Sequence, residues 1–338
     1  MVRVLVTGAN GYLGRAVVDL LGRAGHEPIA MVRGSTSSMP APVRVADLLD
    51  EGGVRDALEG VAAVCHLAGL TRARESTDDP LRYFRVNTGG TVALLDAMVA
   101  AGIARIVFAS TASIYGSPER PPMTERLPDA PPHPYAASKL AAEWAIRAQA
   151  RTGRLSATVL RLTNVAGGAD PDPTRLIPRT FAAATNGSAL EVNGDGSAVR
   201  DYLHVLDAAA AFVACVEHTS PPGEFGQYII GSGRGSSIRD VVAAVERRTG
   251  RRIPLTHRRP APEPAALISD PAKAASELGW YPRHSDLETI VHDTWRAATS
   301  GGIDPSPFEV TGPGPPGRAS RRSAADSGRG ARRRRAEP

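Results

Sequence analysis

TGANGYLG, residues 7–14, stands directly behind the apolar run VRVLV at residues 2–6. The reading of this stretch decides the fold. Three glycines fall at Gly8, Gly11 and Gly14. Gly8 permits a tight turn, Gly11 lets the backbone approach a pyrophosphate, and Gly14 lets a helix pack closely on a strand. A glycine turn by itself also fits a purely structural bend. Placed between a buried strand and a helix over residues 12–24, it reads as a dinucleotide site with the diphosphate on the helix N-terminus.

Outward from that turn the chain alternates. Strands are predicted at residues 28–33, ending at Asp47 and Leu48, at 61–69, at 104–111 and at 156–164, with helices at 55–60, 87–102 and 135–151 between them. Strands alternating with helices predict a parallel sheet with crossovers, the Rossmann-type doubly wound α/β class. After Gly167, Pro and Gly interrupt the chain and short helices mix with short strands such as ALEVNG and FGQYIIG. The expected organisation is a dinucleotide-binding domain over 1–165, to which some later segments return, and a smaller mixed substrate region over 166–300. Residues 301–338 read as a disordered basic tail, with a site between the first two parts.

Composition narrows the function classes. The formal charge of +5 sits mostly in the tail, where eight arginines face four acidic residues, so the body is nearly neutral and nucleic-acid binding is not expected. No apolar run reaches the length of a membrane span, and a strand pattern follows the first methionine, so a cytoplasmic protein without membrane contact is expected. Cys65 and Cys215 lie in apolar runs and read as buried thiols of a reducing compartment; no metal-ligand cluster is present in the sequence.

Two further stretches carry chemistry. PYAASK at residues 134–139 sets Tyr135 and Lys139 one helical turn apart, on one face. ASTASIYG at residues 109–116 brings hydroxyls, with Thr111 just past the fifth strand. Beside a nicotinamide nucleotide, the Lys139 ammonium would bind the ribose and lower the phenol's pKa from about 10. Tyr135 could then take a proton from a sugar hydroxyl while hydride leaves the same carbon, with Thr111 bonding that oxygen. Tyr135 and Lys139 could each also be an ordinary core or surface residue; the combination and its order favour the chemical reading.

Together with HLAG, LRLTNVAG, GDGSAVRDYLHVLDAA and RRPAPEPAALISDPAKAASELGW, these stretches make residues 2–298 resemble the extended short-chain dehydrogenase/reductase family, in particular its UDP-glucose 4-epimerases and related nucleotide-sugar epimerases. The resemblance implies catalytic roles for Thr111, Tyr135 and Lys139. It implies a cofactor set of Gly8, Asn10, Gly11, Tyr12, Leu13, Gly14, Arg33, Asp47, Leu48, Leu67, Ala68, Asn87, Tyr135 and Lys139. On the substrate side it implies Thr111, Asn164 near the diphosphate, and Arg200 and Arg259 clamping the phosphates. The implied activity is an isomerase of nucleotide-sugar metabolism, interconverting UDP-glucose and UDP-galactose, or a related NDP-hexose, through a 4-keto sugar on tightly held NAD. A homodimer built on the helices at 87–102 and 138–151, through Leu94, Leu95, Leu140 and Ile146, is implied too, although the same residues would serve as core.

Departures from that pattern leave alternatives open. Arg33 stands where the epimerases carry an acidic residue, which would suit the phosphate of NADP and an NADPH-dependent dTDP-4-keto-6-deoxyhexose reductase of secondary-metabolite pathways; it also reads as a surface arginine. Thr71 replaces a lysine after HLAG, with Arg72 as a substitute. Ala261 and Pro262 replace Gly-Asp, with Glu263 the nearest acceptor, and Ala266 predicts a wider sugar pocket. Ser110-Thr111-Ala112-Ser113 lacks the carboxylate pair of a 4,6-dehydratase. A non-catalytic dinucleotide sensor is disfavoured because Tyr135 and Lys139 are both intact.

Overall fold

Six strands follow the predicted alternation: β1 (Arg3–Thr7), β2 (Glu27–Val32), β3 (Val43–Val45), β4 (Ala63–His66), β5 (Arg105–Thr111) and β6 (Ser156–Leu162). The computed structural model describes residues 1–34, 39–218, 221–260 and 264–299. All six strands pair in parallel in one sheet of order 3-2-1-4-5-6, and β11 (Phe225–Ile230) joins beside β6 as a seventh parallel strand. The order reverses between β1 and β4, which is where such a sheet opens a crevice at its carboxyl edge.

A sheet covered on both faces needs apolar residues on both, which is why β1 reads as a continuous run. Val4 and Val6 point into one core with Val17 and Leu21 of α1 (Tyr12–Arg23) and Phe212 of α7 (Val205–Glu217). Leu5 points into the other, with Val54 of α2 (Glu51–Ala57), Leu94 of α4 (Gly90–Ala100) and Ile146 of α5 (Pro134–Ala150). Leu94, Leu95, Leu140 and Ile146 are therefore core residues of this subunit, at most 5% exposed. Cys65 and Cys215 are buried free thiols, and burial pushes Cys65 up to about 12.

The remaining elements form a second, smaller core. It gathers α6 (Leu176–Asn186), α8 (Ile238–Thr249), α10 (Leu287–Thr299) and β8 (Leu190–Asn193), which pairs with β13 (Leu255–Arg258). Short strands β7 (Asn164–Ala166), β9 (Val199–Arg200), β10 (Tyr202–His204), β12 (Ser236–Ser237) and β14 (Ala266–Leu267) pair in two small sheets, β10 with β7 and β9 between β12 and β14. Asp201, between β9 and β10, is buried and accepts from Ser232 and Ser269, each through backbone and hydroxyl, and from the Gly233 amide. One carboxylate thus ties three loops together.

Several boundaries differ from expectation. The helix expected from Asn87 begins earlier, as α3 (Pro80–Tyr83), capped by Asp79, then a π-helical turn over Phe84–Gly89, then α4. Helix α2 begins at Glu51, whose charge suits a helix N-terminus. Strand β3 ends at Val45, before Asp47, whose Oδ1 accepts the Leu49 amide and turns the chain away. The expectations for residues 301–338 and for Ala261, Pro262 and Glu263 lie outside the described residues. No helix among the described residues is long and apolar enough to cross a membrane, and no metal-binding cluster occurs among them.

Candidate active site

The carboxyl edge of the sheet opens into a cavity of about 1300 Å³. The glycine turn forms one end. Gly8 adopts a φ of +68°, and a Cβ there would lie 2.8 Å from the Ala68 amide nitrogen. A Cβ on Gly14 would sit 2.2 Å from the Gly8 carbonyl oxygen, so the turn closes on the helix only because both positions lack side chains. Gly11 caps α1 without any side-chain acceptor, and no acidic residue occupies the first turn. The helix therefore presents its free N–H groups to whatever anion enters. This cradle fits a dinucleotide diphosphate.

Behind the turn a hydrogen-bond chain fixes its position. The Thr7 hydroxyl accepts the Leu67 and Ala68 amides and lies 2.7 Å from His66 Nδ1. His66 Nε2 lies 3.0 Å from the Thr91 hydroxyl, which donates to the Asn87 carbonyl. Burial and the nearby Lys139 charge push the His66 pKa down to about 3, so the ring is neutral. With Thr91 already donating, His66 donates from Nε2 and accepts from Thr7 at Nδ1.

The chemical groups face the same cavity. Tyr135 and Lys139 lie on α5, whose first turn is capped by the His133 ring accepting the Ala136 amide. The Thr111 hydroxyl at the end of β5 hydrogen-bonds the Tyr135 phenol and lies 2.8 Å from the Ser113 hydroxyl. Burial raises the phenol's pKa; the Thr111 bond and the Arg175 charge oppose that rise. Lys139 Nζ donates to the Ala109 carbonyl at 3.0 Å and sits 4.7 Å from the Phe108 ring centre. Burial lowers its pKa to about 8 while Glu143, one turn on, pulls it back up. Arg175 thus adds a positive charge near the phenol that sequence reasoning did not foresee, besides the Lys139 it named. Glu143 in turn is bound by buried Arg161, which also pairs with Asp129 at 2.7 Å and fixes α5 against β6.

Of the residues proposed from the sequence, Gly8, Asn10, Gly11, Tyr12, Leu13, Gly14, Arg33, Asp47, Leu48, Leu67, Ala68, Thr111, Tyr135, Lys139, Asn164 and Arg200 all line the cavity. Asn87 lies behind its wall, where the π-helical turn aims its amide at both backbone groups of Leu70 and at the Ser138 hydroxyl. Gly69 makes room for this, since a Cβ there would approach Asn87 Oδ1 to 2.8 Å and Lys139 Nζ to 3.3 Å. Arg259 is exposed and not part of the wall. Its neighbour Arg258, the last residue of β13, lines the cavity, paired with Glu191. Similarly Leu267 lines the wall and Ala266 does not. Arg72 is drawn out by Glu75 at 2.5 Å, leaving Arg74 as the wall's cation after HLAG.

Sequence reasoning missed Arg175, Arg179 and His133. Arg175 at the start of α6 stacks over the Tyr12 ring at 5.6 Å and pairs with Asp170 at 3.3 Å. Nothing in ADPDPTR announces that placement. Seven cationic side chains line the cavity (Arg33, Arg74, Lys139, Arg175, Arg179, Arg200 and Arg258) against three carboxylates (Asp47, Asp170 and Glu191), so it favours a polyanionic occupant.

A doubly wound sheet, a glycine cradle and a Thr–Tyr–Lys constellation in one cavity define a dinucleotide-dependent enzyme of the extended short-chain dehydrogenase/reductase type. Residues 4–231 match the NAD dependent epimerase/dehydratase family, and the chain belongs to it. A UDP-glucose 4-epimerase of Corynebacterium glutamicum is 38% identical over 313 residues, covering 87% of this chain and 94% of the relative. The solved structure of UDP-glucose 4-epimerase from Brucella ovis in complex with NAD superposes with a TM-score of 0.82 at 36% identity, over 88% of this chain and 98% of that one. One from Stenotrophomonas maltophila, with bound NAD and formylated UDP-arabinopyranose, gives 0.83 at 29% identity, over 89% and 99%.

Proposed function

We propose that the protein is a nucleotide-sugar 4-epimerase interconverting UDP-glucose and UDP-galactose, or a closely related pair, with NAD in the glycine cradle. The observation that carries the reading is the opening of Thr111, Tyr135 and Lys139 into the cavity that begins at the cradle. The full-length similarity to UDP-glucose 4-epimerases supports it.

NAD, when bound, supplies a hydride acceptor and donor. Tyr135 takes the proton from the C4 hydroxyl, helped by the Thr111 hydroxyl on the same oxygen and by the positive charge of Arg175. Lys139, close to the cavity and buried, holds the nicotinamide ribose. Arg200 and Arg258 are placed to hold the sugar nucleotide's phosphates, as Arg179 is from α6. The 4-keto sugar turns over in the cavity and regains hydride on its other face, while Tyr135 returns the proton. No reductant is consumed, which separates this reading from the NADPH-dependent reductase.

A homodimer through α4 and α5 is part of the proposal. Val92 and Val99 on α4 are 41% and 40% exposed, and Trp144 on α5 is 60% exposed, an apolar set without cover in the monomer.

The test is turnover of UDP-glucose by the purified protein with no added cofactor, followed by release of its nucleotide on denaturation. Tyr135→Phe is expected to abolish turnover and retain the dinucleotide. Full activity in that variant, or stoichiometric NADPH use on a 4-keto substrate, refutes the epimerase reading.

A further inference from the structure

Helix α5 carries Tyr135 as its second residue, and a histidine fastens its start. Ser, Thr, Asp and Asn are the side chains that commonly accept an amide at a helix N-terminus. Here His133 Nδ1 accepts the Ala136 amide at 3.1 Å, while the His133 carbonyl accepts the Ala137 amide at 3.1 Å. Pro134, first in the helix, has no amide to satisfy. The side-chain cap of the helix that bears the reacting phenol is therefore an imidazole. The same ring lies against that phenol: the His133 and Tyr135 rings stack at 5.8 Å between centres, with 18° between their planes. Tyr83 meets the phenol edge-on at 6.4 Å and 76°, and is itself held by its hydroxyl donating to the Arg72 carbonyl. His133 lines the cavity, is half-buried, and has no ion-pair partner among the described residues.

A ring nitrogen accepts a hydrogen bond only while it is unprotonated. Proton uptake at Nδ1 would set two N–H donors face to face at Ala136 and put a cation against the phenol. We propose that His133 is a positioning residue for the reaction: its neutral ring fastens the first turn of α5, so holds the Tyr135 phenol in place beside Thr111, and releases that hold on the acid side. This role rests on the reading of Tyr135 as the acid–base group and deepens it. Burial outweighs a backbone hydrogen bond and holds the His133 pKa below its ordinary 6.5, with no charged neighbour contributing, so the ring is neutral at pH 7 and the loss falls below pH 6.5. The titratable groups that meet the ring or its phenol partner are Tyr135 on α5 and Tyr83 on α3. Burial raises both phenols from their ordinary 10, so in the nucleotide-free protein neither titrates in that window.

The experiment is the pH–rate profile of the NAD-loaded protein on UDP-glucose, from about pH 5 to about pH 8.5, for wild type, His133→Asn and His133→Ala, with Tyr135→Phe as control. Asparagine accepts the same amide and does not titrate, so every group common to both proteins cancels in the ratio of wild-type to His133→Asn kcat. At about pH 8, His133→Asn is expected to keep kcat within about threefold of wild type, and His133→Ala to lose about tenfold or more with KM within about twofold. Below about pH 6.5 the wild-type to His133→Asn ratio is expected to fall by about threefold or more, with both proteins still folded by circular dichroism. A ratio flat with pH, His133→Asn no better than His133→Ala, or His133→Ala as active as wild type overturns the role of His133; with Tyr135→Phe inactive, the acid–base reading stands regardless. An active Tyr135→Phe removes the acid–base reading, and the role of His133 with it.

Discussion

Replacing Lys139 by methionine is expected to stabilise the folded protein while destroying its activity. The ammonium is 3% exposed, and burial brings its pKa from 10.5 to about 8. A difference of that size, at about 1.4 kcal/mol per pKa unit, means that holding the charge inside the fold costs about 3 kcal/mol at pH 7. Methionine keeps a similar stem against Phe108 but leaves the Ala109 carbonyl without its donor, a loss of about 1–2 kcal/mol. Glu143 retains Arg161 and Ser110 as partners, so its charge is not orphaned. The net expectation is a gain of about 1–2 kcal/mol, which for a chain of this size raises Tm by about 2–3 °C. The pH dependence has a definite sign. Between pH 8 and 10.5 the unfolded chain binds a proton at this lysine that the folded chain does not, so the wild type gains stability as pH rises through that window. The variant gains nothing there, and its advantage should shrink between pH 7 and pH 10. Calorimetric melting of nucleotide-free wild type and Lys139→Met at both pH values reads this directly, with UDP-glucose turnover assayed in parallel. A variant less stable at pH 7, or an advantage constant with pH, would show that the buried charge is not the strain inferred here.

Other consequences are equally open to measurement. Gly14→Ala puts a Cβ within 2.2 Å of the Gly8 carbonyl oxygen, so dinucleotide affinity is expected to fall at least about tenfold, with a loss of about 1–3 kcal/mol in stability; unaltered binding would contradict the cradle. Arg258→Ala should raise KM for the sugar nucleotide about tenfold or more, whereas Arg259→Ala should leave it within about twofold. The opposite ranking would favour the sequence-based assignment over the structural one. Trp144→Glu is expected to shift the protein toward monomer in analytical ultracentrifugation, and a persistent dimer would place the interface elsewhere.

What the sequence made legible has a physical pattern. The sheet was readable because buried parallel strands need apolar runs and crossover helices need length, and both leave marks in a single chain. The glycine turn was readable because only glycine tolerates the approaches found at Gly8 and Gly14. Tyr135 and Lys139 were readable because they share one helix, where spacing fixes facing. What was not legible concerns contacts between distant segments. Which of Arg258 and Arg259 lines the cavity follows from where β13 pairs with β8 and ends, which a loop-rich sequence does not fix. Leu94 and Ile146 looked equally suited to core or interface, since apolarity alone cannot say which side the sheet covers. Arg175, forty residues beyond Tyr135, reaches the same cavity by way of a loop with no periodicity. The π-helical turn around Asn87 was invisible because Asn87 bonds the Leu70 backbone and the Ser138 hydroxyl, both outside its own stretch.

The Tyr12 hydroxyl at the start of α1 donates to the Gly167 carbonyl just beyond β7. Gly167 in turn has its Cα against the His204 ring, where a Cβ would overlap it at 2.5 Å, and His204 Nε2 lies 3.2 Å from Asp293 on α10. A run of contacts therefore joins the first helix to the last described one, starting at Tyr12 in the cavity wall. A dinucleotide whose departure requires those contacts to open is expected to leave slowly. For a catalyst that returns every hydride it removes, slow departure is an advantage: one captured nucleotide serves every turnover, and the protein is independent of the cell's free pool of reducing power.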